Sequence, residues 1–291
     1  MAGHGMKKLN FELKEMCKHN KDGSFSTQKA RLYTLNQAAN DLHDLGFKTL
    51  SVHGLKPKHV GALIEKWKEN DVSDGTLKNR MTHLRWWTSH INKAGMLPKS
   101  NADLGVDRRV YVTNTNKGQV LDGRMDAIKD PLIHMSIRLQ SAFGMRREES
   151  IKFNPSRDDR GFSLALEVGT KGGRPRTVPI KTAAQRELVD ECRQLVGKQS
   201  LIPFGHTYKQ QLKVYENVTA KAGFHKLHGL RHQYAQSRYE EITGWQSPVS
   251  GGPRRAELSS ADKQLDNTAR QLISRELGHE RLDVVAVYIG S

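Results

Sequence analysis

Cysteine is nearly absent from this chain of 291 residues: Cys17 and Cys192 stand far apart, and neither belongs to a CxxC pair. That excludes a disulfide framework and a cysteine-based zinc site, and it fits a reducing cytosol. Long apolar runs are missing too. No stretch approaches the ~18–20 residues of a membrane span, and no signal-peptide core is visible, so no membrane partner is expected. No internal repeat is apparent. Acidic residues are in short supply: 31 Asp and Glu face 47 Lys and Arg, a net charge of +16. Such an excess favours a polyanionic partner, because each neutralised phosphate releases condensed counterions.

The length suits two domains at roughly 100–200 residues each. A hydrophobic fraction of 36% and a charged fraction of 27% are ordinary for a chain that folds. The first part reads as helices. Leu32, Leu35, Ala39, Leu42 and Leu45 recur at helical spacing, and Gly46 follows as a C-cap. Lys56-Pro57 opens a second helix with Val60, Leu63, Ile64 and Trp67 on one face. Ser73 or Asp74 caps a third, striped by Leu77, Met81, Leu84, Trp87 and Ile91, with Lys78 and Arg85 on its polar face. Trp87 lies on the stripe and reads as core; Trp86 is open to either burial or stacking on bases.

From Pro98 to about Gly123 the periodicity dissolves, which marks a linker whose Arg108 and Arg109 can track a DNA strand. The expected domains are residues 1–97, a linker 98–118, and residues 119–291. Beyond the linker, Pro131 to Phe143 is helical. Phe162–Val168 and Arg176–Ile180 flank the turn signal Thr170-Lys171-Gly172-Gly173 and predict a β-hairpin. Helices follow near 207–222, 229–243 and 268–277, with a last turn carrying Tyr288. The polar stretch 244–266 reads as a flexible loop. The fold class is therefore mostly α with one small antiparallel β-hairpin, an α+β arrangement.

Cutting DNA through a tyrosine makes three demands. The phenol must lose its proton, charge on the non-bridging oxygens must be met by fixed cations, and the leaving 5′-oxygen must receive a proton. Candidates exist for each. Gly144-Met145-Arg146-Arg147-Glu148-Glu149 sets an arginine at a turn, and the Gly-x-Arg-x-x-Glu register favours Arg146. Lys171 sits at the hairpin tip. His228 and Arg231 fall on one face of a helix start. His279 closes Leu277-Gly278-His279, and Tyr288 follows nine residues later.

This ordered series of GMRREE, TKGGRPR, HGLRH, LGH and a late tyrosine resembles the tyrosine recombinase (phage integrase) family, over roughly residues 119–291. The helical first ~95 residues are similar in kind to that family's core-binding domain. The resemblance implies that Arg146 and Arg231 are the two catalytic arginines, supported by Glu149. It makes Lys171 the general acid, His228 and His279 the box histidines, Tyr288 the nucleophile, and His232 a structural neighbour. It further implies a C-shaped clamp on DNA and a covalent 3′-phosphotyrosyl intermediate, with neither metal nor cofactor.

The implied partners are duplex DNA carrying a specific recombination site, a homotetramer on DNA working through a Holliday junction, and an accessory DNA-bending or directionality factor. Off DNA a monomer or weak oligomer is implied, and the location is the cytoplasm, associated with the nucleoid. An integrase of a mobile element or phage is the leading expectation; a type IB topoisomerase-like relaxase and a Xer-type dimer resolvase are the alternatives. Arg174, Arg176, Arg254 and Arg255 join Lys78, Arg85, Arg108 and Arg109 as expected DNA contacts. Two departures stand out. His228 and His279 lie about twice as far apart as is usual in the family, and only Ile289, Gly290 and Ser291 follow Tyr288, which is expected to serve its own active site.

Overall fold

The structure, a computed structural model, describes residues 7–291 apart from Arg109, residues 171–172 and Glu280. The chain divides into two compact units, one reaching Val110 and one beginning at Tyr111. In the first unit four helices surround one core: α1 (Lys8–His19), α2 (Phe25–Asp44), α3 (Pro57–Glu69) and α4 (Asp74–His90). Ser24 caps α2 by accepting the Thr27 N–H. Leu35, Ala38, Ala39 and Leu42 turn inward, whereas Leu32 and Leu45, at the edge of the same stripe, stay more than a third exposed. Val60, Leu63, Ile64 and Trp67 of α3 meet Leu77, Met81, Leu84 and Trp87 of α4, all buried as their spacing predicts.

Trp87 is sealed in this core and donates its indole N–H to the Val52 carbonyl at 3.0 Å. Trp86 takes neither of the simple roles. Its indole N–H donates to Asp22 at 2.8 Å, the Arg31 guanidinium lies 4.1 Å from its ring centre, and His90 stacks at a tilt. It is pinned within the unit. Val106 also belongs to this core, and the Arg85 guanidinium donates to the Pro98 carbonyl at 2.8 Å, so the start of the expected linker is packed here.

The second unit runs α5 (Pro131–Phe143), α6 (Arg147–Ile151), α7 (Pro155–Asp158), β1 (Ser163–Leu166), β2 (Arg176–Pro179), α8 (Ala183–Val196), α9 (Tyr208–Lys221), α10 (Gly229–Thr243), α11 (Ser260–Glu276) and α12 (Ala286–Ile289). Asp130 caps α5 by accepting the Leu132 and Ile133 amides, with Pro131 at its first turn. β1 and β2 form the expected antiparallel hairpin, pairing Leu164 with Val178 and Leu166 with Arg176. Leu164, Leu166 and Val178 face a core shared with Phe143, Phe153, Tyr239, Ile273, Leu277 and Ile289. Among the described residues no helix is long and apolar enough to cross a membrane.

The stretch 244–266 departs from its reading as a flexible loop. α11 begins at Ser260, capped by Ser259, and the remainder holds two short 3-10 turns, Pro248–Ser250 and Arg255–Glu257. Its low apolar content hid the order, which comes from buried polar contacts such as those of Ser247 and Asp266.

Candidate active site

One buried carboxylate organises the site. α5 ends at Gly144 in the left-handed region (φ 57°), where an added Cβ would lie 2.5 Å from the Tyr234 ring, so only glycine permits this turn. The chain then enters α6 with Arg146 at the N-cap. Glu149, three residues on, accepts the Arg146 backbone N–H at 2.6 Å and its guanidinium at 2.7 Å. The other face of the same carboxylate takes Arg176 of β2, at 2.7 Å and 3.2 Å. Arg231 of α10 approaches to 4.0 Å.

Burial alone would raise the Glu149 pKa, but Arg176, Arg231 and the Arg146 N–H overcome it and hold the carboxyl at about 2. Three guanidiniums thus surround one carboxylate. The positive excess is the electrostatic profile of a phosphate site.

Arg231 is as enclosed as Arg176, each 1% exposed at its side chain. It donates to the Gly144 carbonyl at 2.5 Å and to the Leu277 carbonyl, and Arg146 reaches the same Leu277 carbonyl at 3.2 Å. Both arginines therefore fix the turn that presents His279. Among the described residues the Arg231 Nε finds no acceptor. Burial, then the neighbouring Arg176, lowers its pKa to about 10, so the group stays cationic at neutral pH.

Tyr288 sits on α12 and is 6% exposed. Its ring centre lies 4.7 Å from that of His232, 5.5 Å from His279 and 6.0 Å from His228, with the Arg231 guanidinium carbon 5.8 Å away. His228, the N-cap of α10, and His232 in its first turn meet edge to face. Desolvation, then Arg231 and Arg146, lowers the His228 pKa. Desolvation, then His228 and Lys117, drives His232 to about 4, against a hydrogen bond with the Tyr288 backbone. Both imidazoles are therefore neutral near pH 7, the form in which a ring nitrogen can accept a proton.

Within a single chain, then, Arg146, Glu149, His228, Arg231, His232, His279 and Tyr288 converge. Lys171 and Arg109 lie outside the described residues. Arg174 is exposed and lines, with Arg275, Gly278 and His279, a cleft of about 460 Å³ beside this cluster. Lys78, Arg108 and Arg254 are exposed, and Arg108 flanks the start of α4.

Arg176 corrects the expectation of a DNA contact. It is 5% exposed and committed to Glu149 and the Glu276 carbonyl, because the hairpin turns it inward beside Leu166 and Val178. Arg255, its side chain 46% exposed, is also paired with Asp266 at 2.5 Å. Arg85, as noted, is spent on Pro98.

Sequence reasoning missed a second buried network. Glu276 accepts the Tyr234 hydroxyl at 2.8 Å and the Arg238 guanidinium at 2.7 Å and 3.0 Å. It also missed Gln236, whose amide donates to the Tyr288 carbonyl at 3.2 Å. The available signal was a polar helical face, Arg231, Tyr234 and Arg238 at i, i+3 and i+7 of α10.

Comparison with known proteins gives two family models in succession. "Phage integrase, N-terminal" matches residues 6–96 and "Integrase" matches residues 108–237, together about three quarters of the chain. No curated protein matches it. Among solved structures, a lambda integrase dimer bound to a COC′ core site is 13% identical with a TM-score of 0.62, covering 98% of this chain and 81% of that one. The XerH site-specific recombinase in a post-cleavage complex with difH substrate is 17% identical with a TM-score of 0.59, covering 96% and 80%. The Tn1549 transposon integrase in complex with circular intermediate DNA is 11% identical with a TM-score of 0.58, covering 98% and 96%. At these identities the likeness is one of fold.

Proposed function

The chain belongs to the tyrosine recombinase (phage integrase) family, and from that premise we propose that it is the integrase of a mobile element or phage, cutting and rejoining duplex DNA at a specific site. The observation that carries the assignment of roles is the convergence of Arg231 and three imidazoles on the Tyr288 ring, beside arginines held by Glu149.

The Tyr288 oxygen attacks phosphorus as its proton passes to the neutral His228. The bond from phosphorus to the 5′-oxygen breaks, and Lys171 gives its proton to the leaving 5′-oxygen, which departs as the 5′-hydroxyl. Arg146, Arg231 and His279 meet the charge on the non-bridging oxygens, each such donor contributing roughly 2.7–4 kcal/mol. Glu149 orients the arginines, and His232 packs against the phenol without titrating near pH 7. The 3′-phosphotyrosyl bond keeps the energy of the broken phosphodiester. Attack by a new 5′-hydroxyl therefore needs no ATP, and the guanidiniums supply the countercharge that a metal would.

Residues 1–97 serve as a core-binding domain, residues 98–118 as the linker and residues 119–291 as the catalytic domain. Lys78, Arg108, Arg109, Arg174 and Arg254 contact phosphates. Four copies assemble on two sites, exchange strands in pairs through a Holliday junction, and work with a DNA-bending or directionality factor at the nucleoid. A Xer-type dimer resolvase is the second reading, favoured by the likeness to XerH. A plasmid carrying two copies of the element's junction should yield recombined circles and trapped Holliday junctions. Relaxation of plasmid without any site, and no recombinants, points to a topoisomerase instead.

A further inference from the structure

α12 is a single helical turn, and a turn that short does not hold its own geometry, because nucleating it costs more than its few hydrogen bonds return. Tyr288 is placed by what grips it. Much of the grip comes from residues 244–259, between α10 and α11. The turn Pro248–Ser250 abuts the end of α12 at Gly290 (φ 87°). A Cβ there would lie 2.8 Å from Val249 Cγ1, 3.0 Å from the Val249 nitrogen and 3.1 Å from Pro248 Cβ. From the same turn the Ser250 hydroxyl donates to Gln236 Oε1 at 3.3 Å. The Gln236 amide in turn donates to the Tyr288 carbonyl at 3.2 Å and to Asn116 at 3.0 Å. On the far side Arg270 donates to the Gly290 carbonyl at 3.1 Å.

The segment is itself firmly based. Gly252 packs so closely on the Gln246 carbonyl that a Cβ would sit 1.7 Å from its oxygen. The Trp245 indole N–H donates to the Tyr239 hydroxyl at 3.3 Å. Asp266, fully buried, accepts from Arg255 at 2.5 Å, from Tyr239 at 2.7 Å and from Arg270 at 2.8 Å. One carboxylate thus ties the end of the segment to the arginine that holds Gly290. Gln236 stands on the helix that carries Arg231 and His232, so its bond to Tyr288 sets the tyrosine against the proposed phosphate ligands.

We propose that residues 244–259 form an intramolecular clasp that positions the Tyr288 phenol, with Val249, Ser250, Gln236 and Arg270 as its positioning residues. The inference rests on Tyr288 being the nucleophile. None of the four meets the reacting atoms; they act through the Tyr288 carbonyl and the Gly290 backbone that follows it. A misplacement of about 1 Å can cost about a hundredfold in rate, so the clasp governs the chemical step. DNA affinity, set by phosphate contacts elsewhere, does not depend on it.

The test uses the full chain and a suicide duplex spanning the junction sequence of the element that carries this gene. It compares the single-turnover rate of covalent adduct formation at saturating duplex with duplex affinity and thermal melting. Gln236→Met and the double variant Val249→Gly, Ser250→Ala should slow adduct formation by roughly tenfold or more, with affinity and melting close to wild type. Ser250→Ala alone should slow it less, and Ser250→Thr, which keeps the hydroxyl, should restore it. Should Gln236→Met melt early, the Ser250 pair still decides. Wild-type adduct rates in all the clasp variants overturn the clasp. A wild-type protein that forms no adduct overturns the reading of Tyr288 instead.

Discussion

Glu149 and Arg176, 27 residues apart in sequence, form a two-pronged ion pair that is almost entirely withdrawn from water. The pair joins the first arginine box to the hairpin, and the same carboxylate steadies Arg146. Breaking a buried pair strands the surviving charge, which typically costs about 3–5 kcal/mol. Arg176→Met should therefore lower the urea unfolding free energy by roughly that amount, whereas exposed Arg174→Met should change it by less than about 0.5 kcal/mol. Equal, small effects at both positions would remove the structural role assigned to Arg176.

Acid stability follows from the same groups. Glu149 is held at about 2 in the folded chain, below its ordinary 4.5, so its contribution is complete above that value and disappears as pH falls from 4.5 towards 2. His232 is held at about 4, below its ordinary 6.5. The unfolded chain takes up that proton first, so stability falls as pH drops from 6.5 to 4, by up to about 3 kcal/mol. Urea midpoints across pH 7 to 3 should decline in two stages, and His232→Gln should flatten the upper one. An unchanged upper stage in that variant would show that His232 is not its source.

Arg231 combines deep burial with contacts to Gly144 and Leu277, so its loss touches both catalysis and the His279 turn. Arg231→Lys keeps a positive charge but loses the planar fork. It should slow adduct formation by about 10²–10³-fold with little loss of DNA binding. A change of less than about tenfold would place the principal countercharge elsewhere.

Lys171 is assigned to the leaving group, and leaving-group chemistry tests it. Lys171→Ala should cleave ordinary DNA slowly yet recover most of its rate on a substrate with a bridging 5′-thiolate, which departs without protonation. No recovery on the thiolate substrate would sink the general-acid role.

Periodicity made much of the fold legible. The stripes of α3 and α4, the limits of α5, and the antiparallel pairing of β1 with β2 were all readable because each rests on local chemistry. α1 and α8 were not, since each buries only three residues within a polar sequence. The first two turns of α11 were hidden for the same reason, their order depending on Asp266. The site residues were legible as an order of short motifs. Arg176 and Gln236 were not, because a hairpin arginine reads as a DNA contact until a carboxylate from another element is brought beside it. The late tyrosine was visible from the start; the segment that holds it read as a loop.

The account turns on which atom becomes linked to DNA. Wild-type protein trapped on a suicide duplex should be digested and its DNA-bearing peptide identified by mass spectrometry. A 3′-phosphate linked to the Tyr288 oxygen is the expected product, with no adduct from Tyr288→Phe under the same conditions. An adduct at another residue, or one that persists in Tyr288→Phe, would contradict the mechanism.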